Sequence, residues 1–131
     1  MEIVTGFLLF LALTLVALGV TVVSGFKARR KIHIPAVAVS VVLLLVTIYY
    51  AEQLGTQYDL KAAGVIYPIH LFFAKTSTPA YLLPIITGIR TLKKPTMIVW
   101  HKRLAFLVLI LTVLSAGTGT AMVLMSDKLP G

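Results

Sequence analysis

The chain has 131 residues, of which 59% are hydrophobic and only 12% charged; its mean hydropathy of +1.00 is far from that of a water-soluble domain and places it in the membrane class. A net charge of +8 would point to nucleic acid in a soluble protein, but here the basic residues gather at two short connections between apolar segments, so no nucleic-acid partner is expected. Cysteine is absent, which removes disulfides, iron–sulfur clusters, thiolate-ligated haem and covalent c-type haem from consideration.

Four segments can each span a hydrocarbon core, which takes about 20 apolar residues as helix. They lie near Ile3–Phe26, Ile34–Leu54, Val65–Ile89 and Leu104–Met125. No β-barrel alternation is present, so helices must satisfy the backbone in lipid. Short connections favour an up-and-down arrangement. The expectation is an all-α, integral membrane four-helix bundle forming a single domain over residues 1–131. The first segment lacks a basic lead and exceeds a typical signal-peptide core. It also carries a patterned face of its own (Phe7, Phe10, Thr14, Ala17, Thr21, Ser24), and reads as a retained helix.

The second segment is entered through Lys27, Arg29, Arg30 and Lys31 and begins with His33. From that histidine a stripe of mainly small or hydroxyl residues continues through Val37, Ser40, Leu44, Thr47 and Ala51. Steps of three and four keep such a set on one helical face. Pro35 suits a first helical turn.

In the third segment the stripe starts at His70 and runs through Ala74, Ser77, Tyr81, Pro84 and Gly88. At a rise of about 1.5 Å per residue, His70 lies roughly 8 Å and Lys75 roughly 15 Å into this span. Pro79 and Pro84 are expected to kink it. An intramembrane lysine marks a functional site or a partner contact, or snorkels outward along its stem. For His70 two readings stand open: coordination of a second haem with a methionine such as Met122 or Met125, or a hydrogen bond to a tyrosine or backbone carbonyl.

A second basic connection, Arg90, Lys93, Lys94, Lys102 and Arg103, leads into the fourth segment. There the stripe runs from His101 through Ala105, Val108, Thr112, Ser115, Gly119 and Met122. Gly117, Gly119 and Ala121 read as close-packing positions for a neighbouring helix. Both basic connections belong on the cytoplasmic side by the positive-inside rule, and both termini on the outer side. Attraction to anionic lipid headgroups accounts for these clusters.

His33 and His101 open segments that run in the same direction, and so are expected at one membrane level. A bis-histidine haem b needs two imidazoles at one level, and Arg29, Arg30, Lys31, Lys102 and Arg103 are suited to receive its propionates. The other reading makes both histidines solvated residues at the edge of a basic loop. There is no phosphate-binding glycine loop, no HExxH, no carboxylate pair and no supported nucleophile, so a self-contained hydrolase is not expected.

The segments IYPIHLFFAKTSTP and HKRLAFLVLILTVLSAGTGTAMVLM resemble the CtaM/YozB-type family of small bacterial membrane proteins. The resemblance rests on a His followed nine residues later by Pro (His70, Pro79), a basic helix start (His101, Lys102, Arg103) leading to Thr118–Gly119, and the basic entry KIHIPA at Lys31–Ala36. It covers the last three segments. That family is associated with haem-copper oxidase biogenesis, and its histidines resemble those of four-helix b-type cytochromes. The resemblance implies haem-binding roles for His33, His70 and His101. The family's further histidine, at the outer end of the helix before His70, is replaced here by Tyr49, Tyr50 and Glu52.

The leading expectation is therefore a b-type cytochrome-like subunit, with one haem b and room for a second. It would pass electrons from a donor such as quinol within a larger respiratory complex or a homo-oligomer. The competing expectation is a non-redox accessory or assembly subunit of such a complex. A small transporter is disfavoured, since no inverted repeat or broken-helix pair is evident.

Overall fold

The structure, a computed structural model, describes residues 2–130. It is almost entirely helical: α1 Ile3–Phe26, α2 Arg30–Gln57, α3 Ile66–Ala80, α4 Leu82–Lys93 and α5 Ile98–Leu124. Short 3-10 turns occupy Leu60–Ala63 and Pro95–Met97. A two-residue strand β1, Tyr58–Asp59, pairs antiparallel with β2, Asp127–Lys128. The chain divides into two compact units, the first made of α1, α2, β1 and β2 and the second running from Leu60 to Ser126.

In the first unit α1 and α2 form an antiparallel hairpin joined by Lys27–Ala28–Arg29. Helix α1 ends in a Schellman motif: the Arg29 N–H donates to the Ser24 carbonyl at 2.9 Å and the Ala28 N–H to Gly25 at 3.1 Å. Ala28 takes φ +54°, the left-handed conformation that this motif requires and that glycine ordinarily fills. The turn is tight enough that α2 starts four residues before the sequence expectation, at Arg30. Pro35 thus falls inside α2 rather than in its first turn, and its missing N–H removes one intrahelical bond.

Hydroxyls zip the hairpin together. Thr14 Oγ1 lies 3.0 Å from Thr47 Oγ1, and Thr21 Oγ1 3.1 Å from Ser40 Oγ. Each hydroxyl also reaches the carbonyl four residues earlier on its own helix. A hydroxyl has one proton, so in each pair one partner donates across the interface and the other into its own helix.

In the second unit both α3 and α4 pack against α5. The expected third span is here two helices. Pro79 and Pro84 cannot donate to the carbonyls of Lys75 and Ala80, and the helix breaks at Tyr81. Tyr81 keeps helical angles (φ −58°, ψ −27°), so the backbone stays in helical conformation through the interruption. The Tyr81 hydroxyl reaches Thr112 Oγ1 at 2.6 Å, and Thr112 in turn donates to the Val108 carbonyl at 2.7 Å. This tyrosine thus ties the break to α5. Helix α5 begins at Ile98, six residues before the sequence expectation.

Three helical stretches, Ile3–Phe26, Arg30–Gln57 and Pro95–Leu124, are long and apolar enough to cross a membrane. Burial follows the inverse of a soluble protein. Eight Ser and Thr side chains are buried against six apolar ones, while Val16, Phe26, Phe72 and Phe106 are between 61% and 74% exposed. Small and hydroxyl residues inside with large apolar residues outside is the distribution expected where lipid is the solvent.

Candidate functional site

Three half-buried histidines stand in one repeated arrangement. His33 is the fourth residue of α2, and its Nδ1–H donates to the Thr21 carbonyl of α1 at 2.8 Å, with Ser24 Oγ at 3.4 Å. His101 is the fourth residue of α5, and its Nδ1–H donates to the Pro84 carbonyl of α4 at 2.9 Å, with Thr87 Oγ1 at 3.3 Å. On α3, His70 Nδ1 lies 3.0 Å from Thr118 Oγ1 of α5.

The facing helix repeats the same spacing each time: a carbonyl, a hydroxyl three residues later and a glycine one residue after that. The triplets are Thr21/Ser24/Gly25, Pro84/Thr87/Gly88 and Ser115/Thr118/Gly119. The glycine makes room for the ring. A methyl group built on Gly25 would come within 3.1 Å of His33 Cε1, one on Gly88 within 3.0 Å of His101 Cε1, and one on Gly119 within 2.8 Å of His70 Cε1. Without a Cβ at these positions, each imidazole can settle against the helix backbone, and His33 and His101 reach the carbonyl one turn away.

A fourth position shares the geometry but not the ring. Gly6 of α1 follows Thr5, its N–H donates to the Glu2 carbonyl at 2.8 Å, and a Cβ there would collide with the Tyr50 ring of α2. Tyr50 also stacks on Phe10, with centroids 5.4 Å apart.

The hydrogen bonds fix the tautomer. A carbonyl oxygen only accepts, so Nδ1 carries the proton in His33 and His101. Thr118 donates its own proton to the Leu114 carbonyl at 2.7 Å and so accepts from His70 Nδ1. A neutral imidazole protonated on Nδ1 keeps its lone pair on Nε2. Metal-ligating histidines commonly show this arrangement, with the remote ring N–H held by a carbonyl or another acceptor that orients the ring and raises its basicity. An imidazole in this tautomer has the chemistry to ligate haem iron through Nε2. Among the described residues no three His, Cys, Asp or Glu side chains cluster as a metal-ion site.

Arg30, Lys102 and Arg103 are exposed, and the Arg103 guanidinium sits 5.7 Å over the Trp100 ring. Lys75 is exposed on α3. Of the expected close-packing glycines, Gly119 meets His70, whereas the Cβ position of Gly117 has nothing within 4 Å.

Sequence reasoning located the histidines and their stripes but passed over the Ser/Thr–Gly dipeptides as a set. The signal was present: the chain holds four such pairs, Thr5–Gly6, Ser24–Gly25, Thr87–Gly88 and Thr118–Gly119, and each faces a His or Tyr ring. Comparison with protein-family profiles, with curated proteins and with solved structures finds no match.

Proposed function

We propose that this chain is a four-helix membrane protein of the b-type cytochrome kind, with both termini on the outer side of a cell membrane, in which His33 and His101 would hold haem b. The observation that carries the reading is the repeated seat: imidazoles with Nδ1–H committed to a helix carbonyl and the ring backed by a Ser/Thr–Gly pair. When bound, haem b supplies reversible one-electron transfer.

The chain's own contribution is to hold and orient. Thr21 and Pro84 carbonyls set the tautomer of the two imidazoles, and Gly25 and Gly88 admit the rings. Arg30, Lys102 and Arg103 offer cations to the propionates. His70, seated against Thr118–Gly119, would hold a second haem. Electrons would arrive from a membrane donor such as quinol and leave to a partner in a larger respiratory complex or to a second copy of the chain. The proposed kinship with the CtaM/YozB-type family agrees with this assignment.

A second reading, a non-redox accessory or assembly subunit of a haem-copper oxidase or other respiratory complex, is favoured by one observation. Lys75 is exposed on α3, and none of the chain's four acids, Glu2, Glu52, Asp59 and Asp127, lies on that helix. A charge so placed is suited to docking an acidic partner helix.

Absorption spectra of the purified protein, oxidised and dithionite-reduced, separate the two. The cytochrome reading expects sharp reduced bands that are lost in His33→Ala and in His101→Ala. Colourless wild-type protein, or full haem retention in His101→Ala, rejects it and leaves the accessory role.

A further inference from the structure

The hairpin of the first unit carries an open groove of about 470 Å³, lined along α1 by Val16, Gly19, Val20 and Val23 and at the turn by Lys27 and Arg29. Its two ends differ in chemistry. Along α1 the wall is apolar from Val16 to Val23, about 10 Å of helix. At the turn end it finishes at Lys27 and Arg29, with Arg30 and Lys31 following directly in the chain.

The floor is open because Gly19 has no side chain, and its Cβ position has nothing within 4 Å. The hairpin's acids stand away from this turn, Glu2 just before α1 and Glu52 and Asp59 at and beyond the far end of α2. An apolar trough capped by uncompensated cations matches an amphiphile with an apolar tail and an anionic head.

We propose that this groove is a specific site for one anionic diacyl phospholipid, with an acyl chain along Val16, Gly19, Val20 and Val23 and the phosphate held by Lys27 and Arg29. The inference rests on the membrane reading of the chain but not on haem. It goes further than a general attraction of basic loops to anionic bilayers, because it assigns a single position, an apolar wall and two named cations. Ser24 lines the groove and lies 3.4 Å from His33 Nδ1, so the occupied groove borders the seat of that imidazole.

The test is native mass spectrometry of the detergent-purified protein with phosphatidylglycerol or phosphatidylcholine added. Alkaline-carbonate extraction of the source membranes tests the membrane reading separately. Wild-type protein should retain one phosphatidylglycerol in clear preference to phosphatidylcholine. In Lys27→Gln/Arg29→Gln that preference should fall roughly thirty-fold, each cation near a membrane surface contributing about a factor of five. Gly19→Leu places a side chain in the open groove without meeting its own hairpin, and should lose retention while keeping every cation. If Gly19→Leu binds phosphatidylglycerol like wild type, or if wild type holds both lipids equally, the site is overturned even where the protein remains carbonate-resistant.

Discussion

At the residue scale, the ring seats turn on what a glycine leaves out. His33 and His101 each reach a carbonyl that already serves its own helix. The approach is this close because the residue one turn further on lacks a Cβ. Gly88→Ala should push the His101 ring a few tenths of an ångström outward and weaken the Nδ1–H···O bond to Pro84. A typical hydrogen bond contributes about 1 kcal/mol, so on the proposed haem assignment the affinity should fall roughly fivefold, measured by haem titration or competition. Gly117→Ala, with nothing within 4 Å of its Cβ position, should leave the affinity unchanged. Equal losses in the two variants would detach the effect from the imidazole seat. The histidines were legible in the sequence because strongly coordinating side chains are rare in apolar helices. The seats were less so: a Ser/Thr–Gly pair is common in membrane helices, and only the facing ring gives it meaning.

At the element scale, the turn between α1 and α2 places Ser24–Gly25 opposite His33 by ending one helix and starting the next within three residues. The sequence showed a basic connection there but gave no sign of its tightness, because Ala28 adopts a conformation that alanine rarely takes. For an L-residue the left-handed region costs about 1–2 kcal/mol. Ala28→Gly should relieve part of that cost and raise the thermal midpoint of the detergent-solubilised protein, and Ala28→Val should lower it. A fall in Ala28→Gly would show that the turn is not held in this conformation. The break at Tyr81 is the opposite case: Pro79 and Pro84 announced the interruption directly. What they could not announce was the Tyr81–Thr112 hydrogen bond that secures it, since that pairing depends on the register between α3 and α5. The early start of α5 was hidden for a related reason. Its first residues include Trp100, His101, Lys102 and Arg103, which interrupt the apolar run without interrupting the helix.

At the scale of the whole molecule, composition and the stripes carried most of the information. Ser40, Thr47, Ser77, Val108, Thr112 and Met122 lie on the sequence-derived stripes and are all buried. Charge asymmetry sets the topology that should accompany this fold: the basic residues flanking the α1–α2 and α4–α5 connections predict a cytoplasmic location for both. A phosphatase reporter fused after Gly131 should be active outside the membrane, and a fluorescent reporter that folds only in the cytoplasm should stay dark. The reverse pattern would invert the orientation. The four ring seats follow a different logic from the charges, for three hold imidazole and the fourth holds Tyr50. The codons for tyrosine and histidine differ by one pyrimidine at the first base, so a single transition separates this chain from one with four imidazoles. Tyr50→His should bring the new ring against Gly6 with the Glu2 carbonyl as its proton acceptor, and raise the haem content per chain. Tyr49→His, on a ring 56% exposed and without a glycine behind it, should add none. One base therefore decides whether the fourth seat holds a phenol or an imidazole.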